Sequence, residues 1–367
     1  MATPSRMPYV CLGKSGLKVS KIILGCMSYG SPEWQPWVLG EEEGIKQIKF
    51  AYDAGIQSFD TANVYSNGVS EVILGKAIKK HNLPRDEIVV MTKLYGTVCR
   101  TPGERINSTE QAYENRYVNQ QGLSRKHIFD SVKHSLERLQ LDYIDLLQCH
   151  RFDYDTPIEE TMQALHDIVK AGWVRYIGMS SCWAWQFQLM QNYAISHNLT
   201  PFISMQNHYN VVYREEEREM MPMLKHFGVG SIPWSPLARG ATTRPLSERT
   251  RRADNDLWHD TYLKEGGSRE IVNRWAFPYY AIQKYSIMTI WGYQCSIEVL
   301  ARKYKVSMAQ VSLAWVLSKD TVTAPIIGTT SLDKLKDLLG ALDLKLTEEE
   351  LKSLEEPYKP MAIIGHT

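Results

Sequence analysis

The sequence predicts an α/β fold of the (β/α)₈ TIM-barrel class, and three observations carry that expectation. Eight short apolar runs, near residues 21, 56, 88, 143, 174, 202, 230 and 323, alternate with segments whose apolar residues fall at helical spacing. Several runs end on an ionisable residue, as strands do where their carboxyl ends build the ligand mouth of a barrel. No G-x-G-x-x-G follows the first run, which disfavours a doubly wound dinucleotide-binding sheet.

Taken in order, Met7 to Ser20 holds two alternating runs around Gly13-Lys14-Ser15-Gly16, an N-terminal β-hairpin that covers one end of the barrel. Lys21 to Gly25 is the first buried strand, followed by a loop from Cys26 to Leu39 and a helix over about Glu41 to Asp53. Ile56 to Asp60 alternates apolar and polar residues and ends on Asp60. The loop Thr61 to Gly68 carries Tyr65, and Ser70 to Ile78 is helical. Glu87 to Lys93 is a strand that closes on Lys93. Residues 94–123 form a polar connection too long for an ordinary barrel loop, suited to lining a substrate site. Ser124 caps the amphipathic helix Arg125 to Leu139, and strand Tyr143 to Cys149 ends at His150. A helix over Thr161 to Ala171 stops at Gly172.

The unit then recurs. Strand Val174 to Met179 ends at Ser180-Ser181 and leads to a helix over Ala184 to His197. Strand Phe202 to Gln206 ends at Asn207 to Asn210 and leads to a helix over Glu215 to Phe227. Gly228 to Pro233 is followed by Trp234-Ser235-Pro236-Leu237, and Val322 to Ile327 by Gly328-Thr329-Thr330-Ser331 and the helix Leu332 to Ala341. Glu270 to Arg274 and Ile297 to Tyr304 would join in one amphipathic helix without the aromatic segment 275–296, which breaks it around Pro278. The expectation is one domain over 1–367, with 275–296 an insertion outside the barrel core.

A net charge of +1 offers no basic field for a nucleic-acid backbone or an anionic membrane. Six scattered cysteines lack any C-x-x-C pair, which fits neither a zinc site nor a disulfide framework, and no metal is expected. Reduced thiols, no signal-peptide core and no run of eighteen apolar residues point to the cytosol. Oligomeric state is left open.

In a barrel the ends of neighbouring strands converge, so Asp60, Tyr65, Lys93 and His150 should meet at one mouth. Gly55-x-x-x-Phe59-Asp60-Thr61-Ala62-x-x-Tyr65, with Gly75 beyond it, resembles the signature of the aldo-keto reductases, and Lys93 and His150 fall at that family's remaining catalytic strand ends. The resemblance spans roughly residues 8 to 365 apart from the aromatic segment. It leans toward fungal members related to aryl-alcohol dehydrogenases and to polyketide-pathway reductases of secondary metabolism.

The resemblance implies a barrel enzyme that reduces an aldehyde or ketone with a nicotinamide cofactor. Hydride delivery to a carbonyl leaves an alkoxide that needs a proton. Tyr65 is the implied donor. A nearby ammonium, Lys93, stabilises a phenolate, Asp60 keeps Lys93 charged and oriented, and His150 hydrogen-bonds the substrate carbonyl. For the cofactor, the resemblance implies Ser180, Ser181 and Gln206 at the carboxamide and Trp234 against the nicotinamide ring. Ser235, Leu237 and Gly240 would approach the pyrophosphate, with Gly328, Thr329, Ser331 and Lys334 at the last helix start. Ser stands at 181 where Asn is commoner, and Thr330 stands where the family carries a cation, with Lys334 and Arg239 as substitutes. NADPH is the expected cofactor and a bulky or aromatic small-molecule carbonyl the expected substrate. Two rival readings stand beside this one: a regulatory subunit that holds nicotinamide as a sensor, as potassium-channel β subunits do on this barrel, and a variant inactivated by the 275–296 insertion. His208 reads equally as a substrate contact or a structural histidine.

Overall fold

The first two strands, Tyr9–Cys11 (β1) and Lys18–Ser20 (β2), pair antiparallel with Val10 opposite Val19. The computed structural model describes residues 7–106, 108–245, 248, 272 and 296–366. Eight parallel strands follow: Ile23–Gly25 (β3), Ser58–Asp60 (β4), Val89–Leu94 (β5), Ile144–Cys149 (β6), Val174–Ser180 (β7), Ser204–Gln206 (β8), Gly230–Ser231 (β9) and Ile326–Ile327 (β10). Their order is β10-β3-β4-β5-β6-β7-β8-β9. The row closes on itself: Thr323 N donates to Ser231 O at 2.8 Å and Ile326 N to Pro233 O at 2.9 Å. The chain is a (β/α)₈ barrel, as its alternation predicts.

The hairpin plugs the amino end of the strands. Its Leu12 and Val19 are fully buried with Ile23, Met91, Leu146 and Ile232 inside the barrel. Gly13 is required at the hairpin turn, where φ is +60° and a Cβ would stand 2.5 Å from the Gly228 carbonyl oxygen. A second apolar layer lies between strands and outer helices, built by residues such as Ile48, Leu74, Ile128, Leu165 and Phe187. These come from the helices Glu41–Asp53, Val69–Lys80, Arg125–Leu139, Ile158–Lys170 and Ala184–Ser196, which fall where the sequence places them to within three residues.

One helix is shorter than expected. In place of a continuous helix over Glu215 to Phe227 there is a 3₁₀ turn, Glu215–Glu217, and then a helix, Met220–Phe227. Pro222 explains the break. In a helix begun at 215 it would clash with a preceding carbonyl, whereas in the first turn of one begun at 220 its missing N–H costs nothing. Glu215 instead accepts hydrogen bonds from Tyr358 Oη (2.6 Å) and Met361 N (2.9 Å), tying this turn to the C-terminal tail. Two helices not marked by the sequence pattern, Met308–Leu317 and Glu348–Glu355, complete the described chain. The first is buried on most sides, so it lacks the one-sided pattern that marks a surface helix.

The long 94–123 connection has a small core of its own, Cys99, Ala112 and Tyr117, and one short helix, Thr109–Glu114. Asn67 pins it to the barrel, donating to Thr101 O (2.8 Å) and Glu104 O (2.9 Å) and accepting from Cys99 N (3.1 Å). The 275–296 segment lies outside the described residues apart from Ser296, whose side chain caps the helix Ile297–Tyr304. Among the described residues no helix is long and apolar enough to cross a membrane, and no cluster of side chains could hold a metal ion.

Candidate active site

At the carboxyl end of β4, β5, β6 and β8, four side chains form one buried polar cluster. Lys93 Nζ, wholly buried, lies 2.6 Å from Asp60 Oδ2 and 2.8 Å from the Thr61 carbonyl oxygen. The other carboxylate oxygen of Asp60 accepts from Gln148 Nε2 (3.0 Å) and Gln206 Nε2 (2.9 Å), and Gln206 Nε2 also reaches Gln148 Oε1 at 2.9 Å. Burial disfavours an ammonium here, but the Asp60 carboxylate and the Tyr65 hydroxyl together outweigh it and hold the Lys93 pKa above the ordinary lysine value.

Above this floor stands Tyr65, its hydroxyl 3.3 Å from Lys93 Nζ. The turn that presents it is tightly wound: Ser66, Asn67 and Gly68 all have positive φ, at 50°, 50° and 95°. Ser66 Oγ accepts from Ser31 N at 3.1 Å, and a Cβ on Gly68 would press to within 2.6 Å of the Arg138 side chain. The Tyr65 ring meets His150 edge-on at 5.9 Å between centroids and Trp34 at 6.1 Å. Burial, and then the Arg151 and Lys93 cations, push the His150 pKa well below the ordinary histidine value. His150 is therefore a neutral imidazole at pH 7, able to donate one hydrogen bond without carrying charge.

A cavity of about 880 Å³ opens over these groups. Of the residues singled out in the sequence, Asp60, Tyr65, His150, Ser180, Gln206 and Trp234 line it, and so do Ser235, Leu237, Gly240, Gly328, Thr329 and Lys334. Lys93 lies beneath it, behind Asp60 and Tyr65. Ser181 and Ser331 are off its wall. With φ at 37°, Ser181 turns to accept the Trp234 indole N–H at 3.0 Å, and Ser331 caps the helix Leu332–Leu339. Ser180 Oγ donates to the Gln206 carbonyl at 3.0 Å.

Trp234 is held on three sides. His208 stacks on it at 4.1 Å and 11°, Ser181 takes its indole N–H, and Gly365 of the tail packs so close that a Cβ there would lie 3.0 Å from the ring. His208 is itself stacked on Tyr213 at 4.0 Å and wholly buried, so it packs between the two rings. Burial, reinforced by Arg239, lowers its pKa well below 6.5. Beyond Trp234 the wall is a loop in which Ser235, Ala238, Arg239 and Gly240 take positive φ.

The sequence profile described as the Aldo/keto reductase family matches residues 21–359. The chain belongs to the aldo/keto reductase family. It is similar to a versiconal hemiacetal acetate reductase of Aspergillus parasiticus, with 47% identity over 97% of this chain and 98% of the relative. A Schizosaccharomyces pombe protein named by inference as an aryl-alcohol dehydrogenase is 46% identical over 100% of this chain and 99% of its own length. An aldo-keto reductase of Fusarium vanettenii is 44% identical over 99% and 94%. As a member of this family the chain is an oxidoreductase of the carbonyl-reducing kind, and aldo/keto reductases in general take a nicotinamide cofactor.

Several site residues escaped the sequence. Gln148 was hidden because an inward polar residue within a strand has no local signature, and its partner Asp60 is 88 positions away. Trp34 and Trp37 sit in a loop with no periodicity, and Arg151 and Arg244 carry no motif, yet all four line the cavity. For Arg151 a signal existed: a second ionisable residue directly after a strand-end histidine.

Proposed function

We propose that the protein is an NADPH-dependent reductase of bulky, aromatic aldehydes or ketones, with Tyr65 as proton donor. A single observation carries this: Lys93 Nζ lies between Asp60 Oδ2 and the Tyr65 hydroxyl, at 2.6 and 3.3 Å, on the floor of a large cavity. The donor set fits a nicotinamide nucleotide. Trp234 offers an aromatic face, Gln206 and Ser180 offer amide and hydroxyl groups beside it, and Arg239, Arg244 and Lys334 line the wall formed by the loops after β9 and β10. With its amide nitrogen engaged by Asp60 and Gln148, Gln206 has its side-chain oxygen to accept an N–H from a carboxamide. Lys334 and Arg244 supply the positive charge that Thr330 lacks for a 2′-phosphate.

When bound, the nicotinamide supplies the hydride. The protein does the rest. His150, kept neutral, donates to the substrate carbonyl and orients it. As negative charge develops on that oxygen, Tyr65 gives up its proton, and the Lys93 ammonium stabilises the phenolate left behind. Asp60, fixed by two glutamines, keeps Lys93 aimed at the phenol. Trp34 and the ring of Tyr65 give an apolar, aromatic wall that suits a flat substrate. The name of one relative, an inferred aryl-alcohol dehydrogenase, supports the aromatic substrate class, and that of another, a versiconal hemiacetal acetate reductase, supports a place in secondary metabolism. The near-neutral net charge argues against nucleic-acid partners, and the free, scattered cysteines support a reducing, cytosolic setting.

The test is to mix protein with NADPH or NADH and a panel of aromatic and aliphatic carbonyls, following the absorbance of the reduced nucleotide. Consumption of NADPH, faster than NADH and faster with aromatic aldehydes, is the expected result. Tight NADPH binding with no consumption across the panel would instead make the chain a nicotinamide-binding regulatory subunit.

A further inference from the structure

Arg151 directly follows His150 and lines the same cavity. It stands at the end of β6, which is four strands round the barrel from β10, so it faces the mouth from the side away from the Gly328–Lys334 turn. Its Nη1 donates to the His150 carbonyl oxygen at 2.6 Å. Among the described residues no carboxylate lies within ion-pair distance of it. The groups acting most on its charge, besides burial, are the Tyr65 and Tyr95 phenols, the Cys182 thiol and Arg239. Asp153, the acid close by in sequence, is committed elsewhere, accepting from Leu123 N at 2.6 Å and Thr156 Oγ1 at 2.7 Å.

A partly buried guanidinium carries five N–H donors in a rigid fork and is poorly placed without an anion. The other cations of the cavity, Arg239, Arg244 and Lys334, lie in the loops after β9 and β10, on the wall assigned above to cofactor phosphates. Arg151 instead adjoins the proposed proton donor and carbonyl-orienting histidine, where the substrate body must sit.

We propose that Arg151 is a specificity-determining residue that binds an anionic oxygen on the carbonyl substrate, either a carboxylate or an ionised aromatic hydroxyl. The proposal rests on the reductase reading and adds to it the charge of the preferred substrate. A charge-assisted hydrogen bond of this kind contributes about 1.5 to 3 kcal/mol, or roughly 10- to 100-fold in kcat/KM.

The experiment compares matched pairs in wild type, Arg151→Lys and Arg151→Gln. One pair is para-carboxybenzaldehyde and its methyl ester. The other is a nitro-substituted hydroxybenzaldehyde, ionised at neutral pH, and its methyl ether. In wild type the anion of at least one pair is preferred, and the pair that shows it identifies the anion. Arg151→Gln lowers that anion-to-neutral ratio of kcat/KM by about 10- to 100-fold, and Arg151→Lys restores part of it. An unchanged ratio in both pairs overturns the proposal, and a uniform loss on all four compounds shows instead that Arg151 merely braces the His150 carbonyl. If wild type binds NADPH but reduces none of the four, the reductase reading itself fails and this proposal falls with it.

Discussion

At the amino end of the barrel, Leu12, Val19, Ile23 and Met91 fill the opening with hydrocarbon; at the carboxyl end, the same sheet presents Asp60, Lys93, Gln148 and Gln206, all of them buried as well. The two ends have nearly the same degree of burial and opposite chemistry. Burying apolar surface stabilises the fold in proportion to area, whatever the neighbours. Burying a lysine and an aspartate stabilises nothing unless every partner is present, and removing one leaves an uncompensated charge. The apolar end is therefore where stability is made. The polar end is where it is given up to hold one ammonium under one phenol.

The sharpest way to break that contrast is Lys93→Met. It should destabilise the protein by about 3 to 5 kcal/mol by stranding Asp60, and turnover should vanish. Adding Asp60→Asn should restore much of the stability and none of the activity. Urea unfolding of the single and double variants, alongside carbonyl reduction, measures both. At the other end, Leu12→Ala should cost about 2 to 5 kcal/mol through the cavity it leaves, while kcat per folded molecule stays unchanged. A loss of kcat at 25 °C in that variant would mean the plug and the mouth are coupled.

The titrating groups sharpen the comparison by pH. His150 and His208 have folded pKa values below the ordinary 6.5. The unfolded chain takes up protons that the native state refuses. Their contribution is present above about pH 6.5 and is lost as pH falls below it, by up to about 1.4 kcal/mol per unit for each histidine. Lys93, its pKa raised, contributes at every pH below 10.5 and loses that contribution as pH rises through its folded value. Urea midpoints at neutral and mildly acidic pH should show the acid limb, and His150→Asn should flatten it in part. The smallest expected effect is Ser181→Ala, which removes the partner of the Trp234 indole. It should weaken nicotinamide binding by about 0.5 to 1.5 kcal/mol, read by fluorescence titration, with kcat barely changed.

What the sequence could reveal follows from the same physics. Strands such as Val89–Leu94 and Ile144–Cys149 are apolar runs ending in Lys93 and His150, so both the element and its functional end are visible locally. Closure of the barrel is not local: it rests on backbone bonds from Thr323 and Ile326 to Ser231 and Pro233, about ninety residues apart. The helix Met308–Leu317 hides because it is buried nearly all round, and the break before Met220 was legible only by weighing Pro222 against an otherwise helical pattern. At the site, Asp60, Tyr65, Lys93 and His150 were readable from strand ends and motif. Gln148 and the tail glycine Gly365 against Trp234 were not, because their meaning depends on what the fold places opposite them.

The central claim is that the Tyr65 hydroxyl, next to Lys93, protonates the oxygen created by hydride transfer. Single-turnover reduction of an aromatic aldehyde by NADPH, in wild type and Tyr65→Phe, tests it directly when paired with NADPH titration. The account predicts that the chemical step slows by about 10² to 10⁴ while the NADPH dissociation constant stays unchanged. A Tyr65→Phe protein that transfers hydride at the wild-type rate would contradict it and assign the proton to another group.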